Sequence, residues 1–62
     1  MNPSKKWMRE AIDAAFEMFE EMRIVPGKAD IIGFIQNSYE TDTEEEIDYE
    51  TASRWYRDHF LK

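Results

Sequence analysis

Residues 49–60 read YETASRWYRDHF, and the spacing of their apolar side chains is that of an amphipathic helix. The side chains expected to face the interior are Tyr49, Ala52, Trp55, Tyr56, His59 and Phe60. Those expected on the outside are Glu50, Ser53, Arg54, Arg57 and Asp58. The pattern therefore predicts a helix over 49–60 that turns its rings toward a core and both arginines toward water.

A long helix is predicted near the start of the chain, over about residues 3–23. Apolar residues recur there at helical spacing, and Pro26-Gly27 ends the pattern. The stripe consists of Met8, Ile12, Ala15, Phe19 and Met22, widened by Ala11, Phe16 and Met18. Asn2 or Ser4 is a suitable N-cap, and Pro3 suits a first helical position.

Between these two segments, residues 29–39 are predicted to form a short helix. Its apolar residues point in most directions, so we expect it to be buried between its neighbours. Gly33 costs about 1 kcal/mol in a helix interior relative to alanine, and close approach of another helix is a structural reason for it. The rings expected to fill the core are Trp55, Tyr56 and Phe60, packed against Phe16, Phe19 and Ile35.

The stretch before the last helix offers two ways for that helix to begin. Thr43 and Glu46 have the spacing of a capping box, which would start a helix at Glu44. Asp48 is the alternative N-cap, for a helix that begins at Tyr49. We favour the second start and expect a break over about residues 40–48.

Length and composition indicate one domain over residues 1–62: of these residues, 42% are hydrophobic and 15% aromatic. No stretch alternates with a period of two, so we predict an all-α, compact three-helix bundle. With 0 cysteines, disulfide frameworks and cysteine-held zinc are excluded. No apolar run approaches the roughly 20 residues that cross a bilayer, and MNPSKKWMRE lacks the apolar stretch of a signal peptide, so we expect a cytoplasmic protein.

The net charge of -6 is unevenly distributed along the chain. Residues 31–50 contain seven carboxylates and neither lysine nor arginine, and residues 13–22 add four more carboxylates. Residues 1–12 and 51–62 each carry three cations against one carboxylate, which gives +2 at either end. We expect the whole molecule to be repelled by nucleic acid, while a patch built from both ends still offers a local contact.

The run Thr51-Ala52-Ser53-Arg54-Trp55, with Arg57 one turn later, resembles the groove-entering helix of helix-turn-helix DNA-binding domains. The resemblance covers about residues 28–60. It implies that Ala52 packs the helix on its predecessor and that polar and basic groups on the outer side meet base edges and phosphates. The implied DNA-binding residues are Ser53, Arg54 and Arg57, helped by Lys5, Lys6 and Lys28. A DNA-binding regulator of this size would act as a homodimer or within a larger complex. The connection before the last helix is strongly acidic, and its length of about eight residues departs from the usual turn of 3–4.

The acidic run supports a second function, that of a protein-binding module. Rigidly displayed carboxylates can copy the charge spacing of a phosphate backbone, and in size and charge this chain is similar to small phage-type inhibitors of nucleic-acid enzymes. The partner would then be a nucleic-acid-processing protein. The residues expected to bind it are Glu40, Asp42, Glu44, Glu45 and Glu46.

Neither catalysis nor metal binding finds support in the sequence. His59 is the single histidine, it has no nucleophile beside it, and no glycine-rich phosphate loop is present. A calcium loop counted from Asp42 would need glycine sixth and glutamate twelfth, where Ile47 and Ser53 stand. We therefore predict a non-enzymatic module with no cofactor, no metal, no small-molecule substrate and no membrane partner.

Overall fold

The structure, a computed structural model, describes residues 3–60 and contains three helices: α1 Lys5–Glu21, α2 Lys28–Thr43 and α3 Tyr49–Phe60. No strand occurs within that range, which confirms the predicted all-α three-helix bundle. No helix formed by these residues has the length and apolar character needed to cross a membrane.

The helix α1 is shorter at both ends than the predicted span of 3–23. The Ser4 hydroxyl accepts a hydrogen bond from the Trp7 backbone N–H at 3.0 Å, so Ser4 is the N-cap and Pro3 precedes the helix. Asn2, the other proposed cap, lies outside the described residues. At the far end Arg23 adopts the left-handed conformation with φ 59, and the Ile24 N–H bonds to the Phe19 carbonyl at 2.9 Å. This doubling back of the chain ends α1 before Pro26 is reached.

The helix α2 runs four residues beyond its predicted end at Tyr39. Its last turn is polar, so no apolar periodicity marks it, but tertiary contacts hold it in place. The Trp7 Nε1–H donates to the Asp42 carboxylate at 2.9 Å, and this bond joins the first turn of α1 to the last turn of α2. The two helices are therefore antiparallel. The break predicted over 40–48 shrinks to residues 44–48.

The helix α3 has the predicted bounds, and Asp48 is its N-cap. The Asp48 carboxylate accepts a hydrogen bond from the Thr51 N–H at 2.8 Å. The alternative capping box of Thr43 with Glu46 is wrong, because Thr43 belongs to the last turn of α2. Its hydroxyl donates to the Tyr39 carbonyl at 2.7 Å and cannot cap a helix starting at Glu44.

The core lies where α2 packs on both of its neighbours, whereas α1 and α3 touch each other only over a short stretch. Its members are Met8, Ile12, Ala15, Ile31, Ile32, Ile35, Ala52 and Trp55. Trp55 is 6% exposed, as predicted for a core ring. Three other rings were wrongly expected to face the interior: Phe16 is 49%, Tyr49 47% and Phe60 57% exposed. Phe16 was one of the three residues expected to widen the α1 stripe, and of these only Ala11 is buried.

A chain of three aromatic rings links the helices across the core. Tyr39 of α2 packs edge-on against Trp7 of α1 at 5.8 Å and against Trp55 of α3 at 5.0 Å between ring centroids. Edge-to-face pairs at such distances contribute about 0.5–1.5 kcal/mol beyond the area they bury. Trp7 therefore closes one end of the core through both its ring and its N–H.

The expected reason for Gly33 is wrong. An alanine Cβ built at this position meets no heavy atom within 4 Å, so no neighbouring helix requires a glycine there. The backbone conformation does not require it either, because no described glycine has a positive φ.

Replacing Gly33 with alanine should therefore stabilise the domain by about 1 kcal/mol, because a helix-interior glycine is conformationally costly. In a domain of this size that gain raises the Tm by about 4–8 °C, measurable by circular dichroism. Gly27→Ala is the matched control. Gly27 is the N-cap of α2, where alanine is a poorer cap, so no gain is expected there. A lower Tm for Gly33→Ala would contradict the open space beside Gly33.

Candidate functional site

The last turn of α2 and the connection after it carry a run of exposed carboxylates, here called the acidic corner. It consists of Glu40, Asp42, Glu44, Glu45 and Glu46, the residues predicted for protein binding. Glu40 and Asp42 lie on the last turn of α2, and the other three follow it directly. The structure thus brings all five predicted acidic residues into one exposed stretch of backbone.

Local hydrogen bonds give the acidic corner a defined backbone. Glu44 adopts the left-handed conformation with φ 62, and its N–H donates to the Glu40 carbonyl at 2.7 Å. The Thr43 hydroxyl accepts a hydrogen bond from the Glu45 N–H at 3.2 Å. Gln36 Nε2 donates to the Ile47 carbonyl at 3.1 Å, and the half-buried Ile47 packs on the core. The backbone that carries these carboxylates is therefore anchored by hydrogen bonds at both of its ends.

The second candidate surface is the outer face of α3. Arg54 and Arg57 are exposed and Ser53 is half-buried, which confirms that both arginines face water. Ala52 is completely buried and belongs to the core. The connection between α2 and α3 has five residues, 44–48, in place of the predicted eight.

The three predicted lysines do not come together. Lys5 is in the first turn of α1, beside the C-terminal part of α3, where it lines a groove with Asp58 and His59. Lys28 is the first residue of α2. Because α1 and α2 are antiparallel and a 16-residue helix is about 24 Å long, Lys28 lies at the opposite end of the bundle from Lys5 and Lys6. A single basic patch built from all three is therefore not formed.

Negative charge also surrounds the start of α3. Asp48 caps the helix, Glu50 is in its first turn, and the acidic corner precedes it. The Thr51 hydroxyl and then the Thr51 backbone N–H lower the pKa of Asp48 below its ordinary value of 3.8, and the Arg54 guanidinium adds a smaller effect.

His59 has a packing role in the structure. Its ring lies half-buried against Phe60, edge-on at 5.0 Å between centroids. The groove of about 480 Å³ beside it has Met8 and Trp55 among its lining residues, and these are core side chains. Within residues 3–60, no three acidic or histidine side chains are grouped so as to hold a metal ion.

Sequence reasoning missed a groove between α1 and α2, here called the α1–α2 groove. It has a volume of about 400 Å³. The lining residues are Trp7, Glu10, Ala11, Ala14, Phe34, Asn37, Ser38, Thr41 and Asp42. The signal in the sequence is that small residues stand on the outer sides of both helices, next to the stripes that pack. In the sequence of either helix alone these residues look like ordinary exposed positions, and the groove exists only where the two helices pack together.

Comparison of this chain with protein-family models, curated proteins and solved structures found no match.

The N-cap at Asp48 should make the stability of the domain depend on pH in acid. Because folding lowers the pKa of this carboxyl, its stabilising effect is present above the unfolded value of about 3.8 and is lost as the pH falls through the folded value. Asp48→Asn keeps a capping oxygen but cannot titrate, so its Tm should fall less steeply than that of the wild type below about pH 4. Thermal melts between pH 7 and 2 measure this, with Asp58→Asn as the control. Parallel curves for Asp48→Asn and the wild type would contradict the cap's contribution.

Proposed function

We propose that this chain is a small protein-binding module whose acidic corner docks on a basic surface of a partner protein. The observation that carries the proposal is the ordered display of five exposed carboxylates on one stretch, Glu40–Glu46. In its finer form, the partner is a nucleic-acid-processing protein and the carboxylates occupy its phosphate-binding surface, as in a phage-type inhibitor.

Two properties of the acidic corner support this function. An ordered backbone presents the charges without a large loss of conformational entropy on binding, which favours affinity. Like charges concentrated on one surface steer an oppositely charged partner and reject similarly charged ones. No charged side chain among the described residues is buried; Asp42 is bound to Trp7, and the other four carboxylates of the acidic corner are exposed.

The test is affinity purification of tagged protein from the source cell, followed by identification of the captured proteins. Changing Glu44, Glu45 and Glu46 together to lysine should abolish capture of the specific partner, because attraction becomes repulsion. The matched control changes Asp13, Glu17 and Glu20 on the exposed side of α1 to lysine, which alters the net charge equally. This control should retain the partner.

Capture that survives reversal at the acidic corner, or that both triple variants lose equally, would contradict the proposal. The finer form is tested by adding duplex DNA to the captured complex. A partner held through its phosphate-binding surface is released by DNA in excess, whereas a partner bound elsewhere stays attached.

DNA binding through α3 is the second candidate, and one observation favours it: Arg54 and Arg57 lie exposed on the outer face of a helix packed through Ala52. Two carboxylates oppose DNA binding by α3. Residues at the start of a recognition helix approach the DNA most closely, and here that region carries Glu50 and Asp48. With Lys28 at the far end of the bundle, few cations remain to offset repulsion by phosphates. We therefore place this function second, and a dimer would be needed to supply enough contact area.

A mobility shift with duplex DNA at about 50 mM salt tests the second candidate, because electrostatic affinity is greatest at low salt. Binding through α3 should disappear when Arg54 and Arg57 are both changed to alanine. On the same face, Glu50→Gln should strengthen binding by removing a repulsive charge. No shift at this salt concentration, or a shift indifferent to all three changes, would exclude α3 as a DNA-binding helix.

A further inference from the structure

We propose that the α1–α2 groove receives a short amphipathic helix of the partner protein, with one large apolar side chain flanked by lysine or arginine. This inference rests on the proposed function, because it names the part of the partner that would bind next to the acidic corner. The proposed occupant of the groove is a basic helix of another protein.

The shape of the groove suits a helix. Its alanines, Ala11 and Ala14 on α1, face Ser38 on α2, and such small side chains let a third backbone approach closely. Trp7 and Phe34 line it as well, and both rings pack partly against the core. Helix-in-groove recognition uses this combination of an apolar floor and a large anchoring side chain.

The size of the groove sets the length of its occupant. Along α1 the lining runs from Trp7 to Ala14, which is about 10 Å at the helical rise, or two turns of a docked helix. One end is fixed by the bond of 2.9 Å between Trp7 Nε1 and the Asp42 carboxylate. The groove is therefore formed before any partner arrives, and little ordering is needed for binding.

Charge selects the class of occupant. Glu10 on α1 and Asp42 on α2 line the groove from opposite helices, and its lining includes no lysine or arginine. Basic residues on either side of an apolar anchor would meet these two carboxylates. Asp42 belongs also to the acidic corner, so a basic helix leaving the groove would continue onto Glu45 and Glu46. Nucleic acid would be repelled from the same surface.

The experiment pans a displayed library of 18-residue helical peptides, randomised on one face, against the full chain. Enriched peptides should be basic and carry a large apolar residue at the centre of that face. Their affinity is then measured by fluorescence anisotropy for the wild type and for variants. Ala14→Arg fills the groove with a bulky cation at an exposed helix position and should weaken binding about tenfold or more. Ala29→Arg, an exposed alanine on α2 that does not line the groove, is the matched control and should change affinity less than about twofold.

Several outcomes would overturn the inference: no enrichment over bare support, enrichment of acidic or uncharged peptides, or equal binding to Ala14→Arg and the wild type. Concentration-dependent self-association that Ala14→Arg abolishes would also overturn it, by identifying a second copy as the occupant. Circular dichroism of each variant excludes unfolding as the cause of a loss.

The groove and the acidic corner are separable in the same assay. Suppose that the cellular partner is lost from the Glu44, Glu45 and Glu46 variant but still binds Ala14→Arg. This result would support the proposed function and contradict binding in the groove. The opposite result is also possible to recognise. If basic peptides fail to bind Ala14→Arg while the cellular partner still binds the charge-reversed acidic corner, the groove is supported and the proposed function is contradicted.

Discussion

Burial of one face of α2 by the other two helices is the constraint on which the rest of the structure depends. Ile32 and Ile35 have no exposed surface and Ile31 almost none, and α1 and α3 cover them from two sides. Since α1 and α3 scarcely contact each other, each is positioned mainly through α2. Full burial of an isoleucine contributes about 1.5–3 kcal/mol, so these three side chains supply a large part of the stabilisation available to so short a chain.

The same arrangement explains where function can be located. Among residues 3–60 no polar or charged side chain is buried, and the arginines and carboxylates considered for binding are on the outside of the bundle. The acidic corner ends two residues before Asp48, the N-cap of α3 that precedes Tyr49, so exposed carboxylates lead into that helix. The α1–α2 groove opens beside the same corner. Both features favour a basic protein partner.

The sequence predicted the parts of the fold that follow from apolar periodicity. The stripe with Ala52 and Trp55 placed α3 at its correct bounds, and the stripe with Met8 and Ile12 located α1. Three predictions failed where the deciding contact joins distant residues. The last turn of α2 depends on Trp7 reaching Asp42, 35 positions along the chain, and no local pattern reveals that bond. The exposure of Phe16 and the open space beside Gly33 depend on how closely the helices approach each other.

The candidate site was predictable to a similar extent. A run of carboxylates is visible in any reading of residues 40–46, and the outward direction of Arg54 and Arg57 follows from helical geometry. The separation of Lys28 from Lys5 could not be foreseen, because it depends on the antiparallel order of α1 and α2. The groove was equally hidden, since Ala14 and Ser38 acquire a common role only when two helices pack.

Two bends of the chain are made by residues that prefer other conformations. Arg23 and Glu44 both adopt positive φ, at 59° and 62°, where an L-amino acid is disfavoured by roughly 1–2 kcal/mol relative to its right-handed state and glycine is not. The domain therefore does not have the greatest stability that its own topology allows. At both bends an ionic side chain stands where glycine would relax the backbone, so the chain has a smaller margin against damaging substitutions elsewhere than the same fold with glycine at these positions.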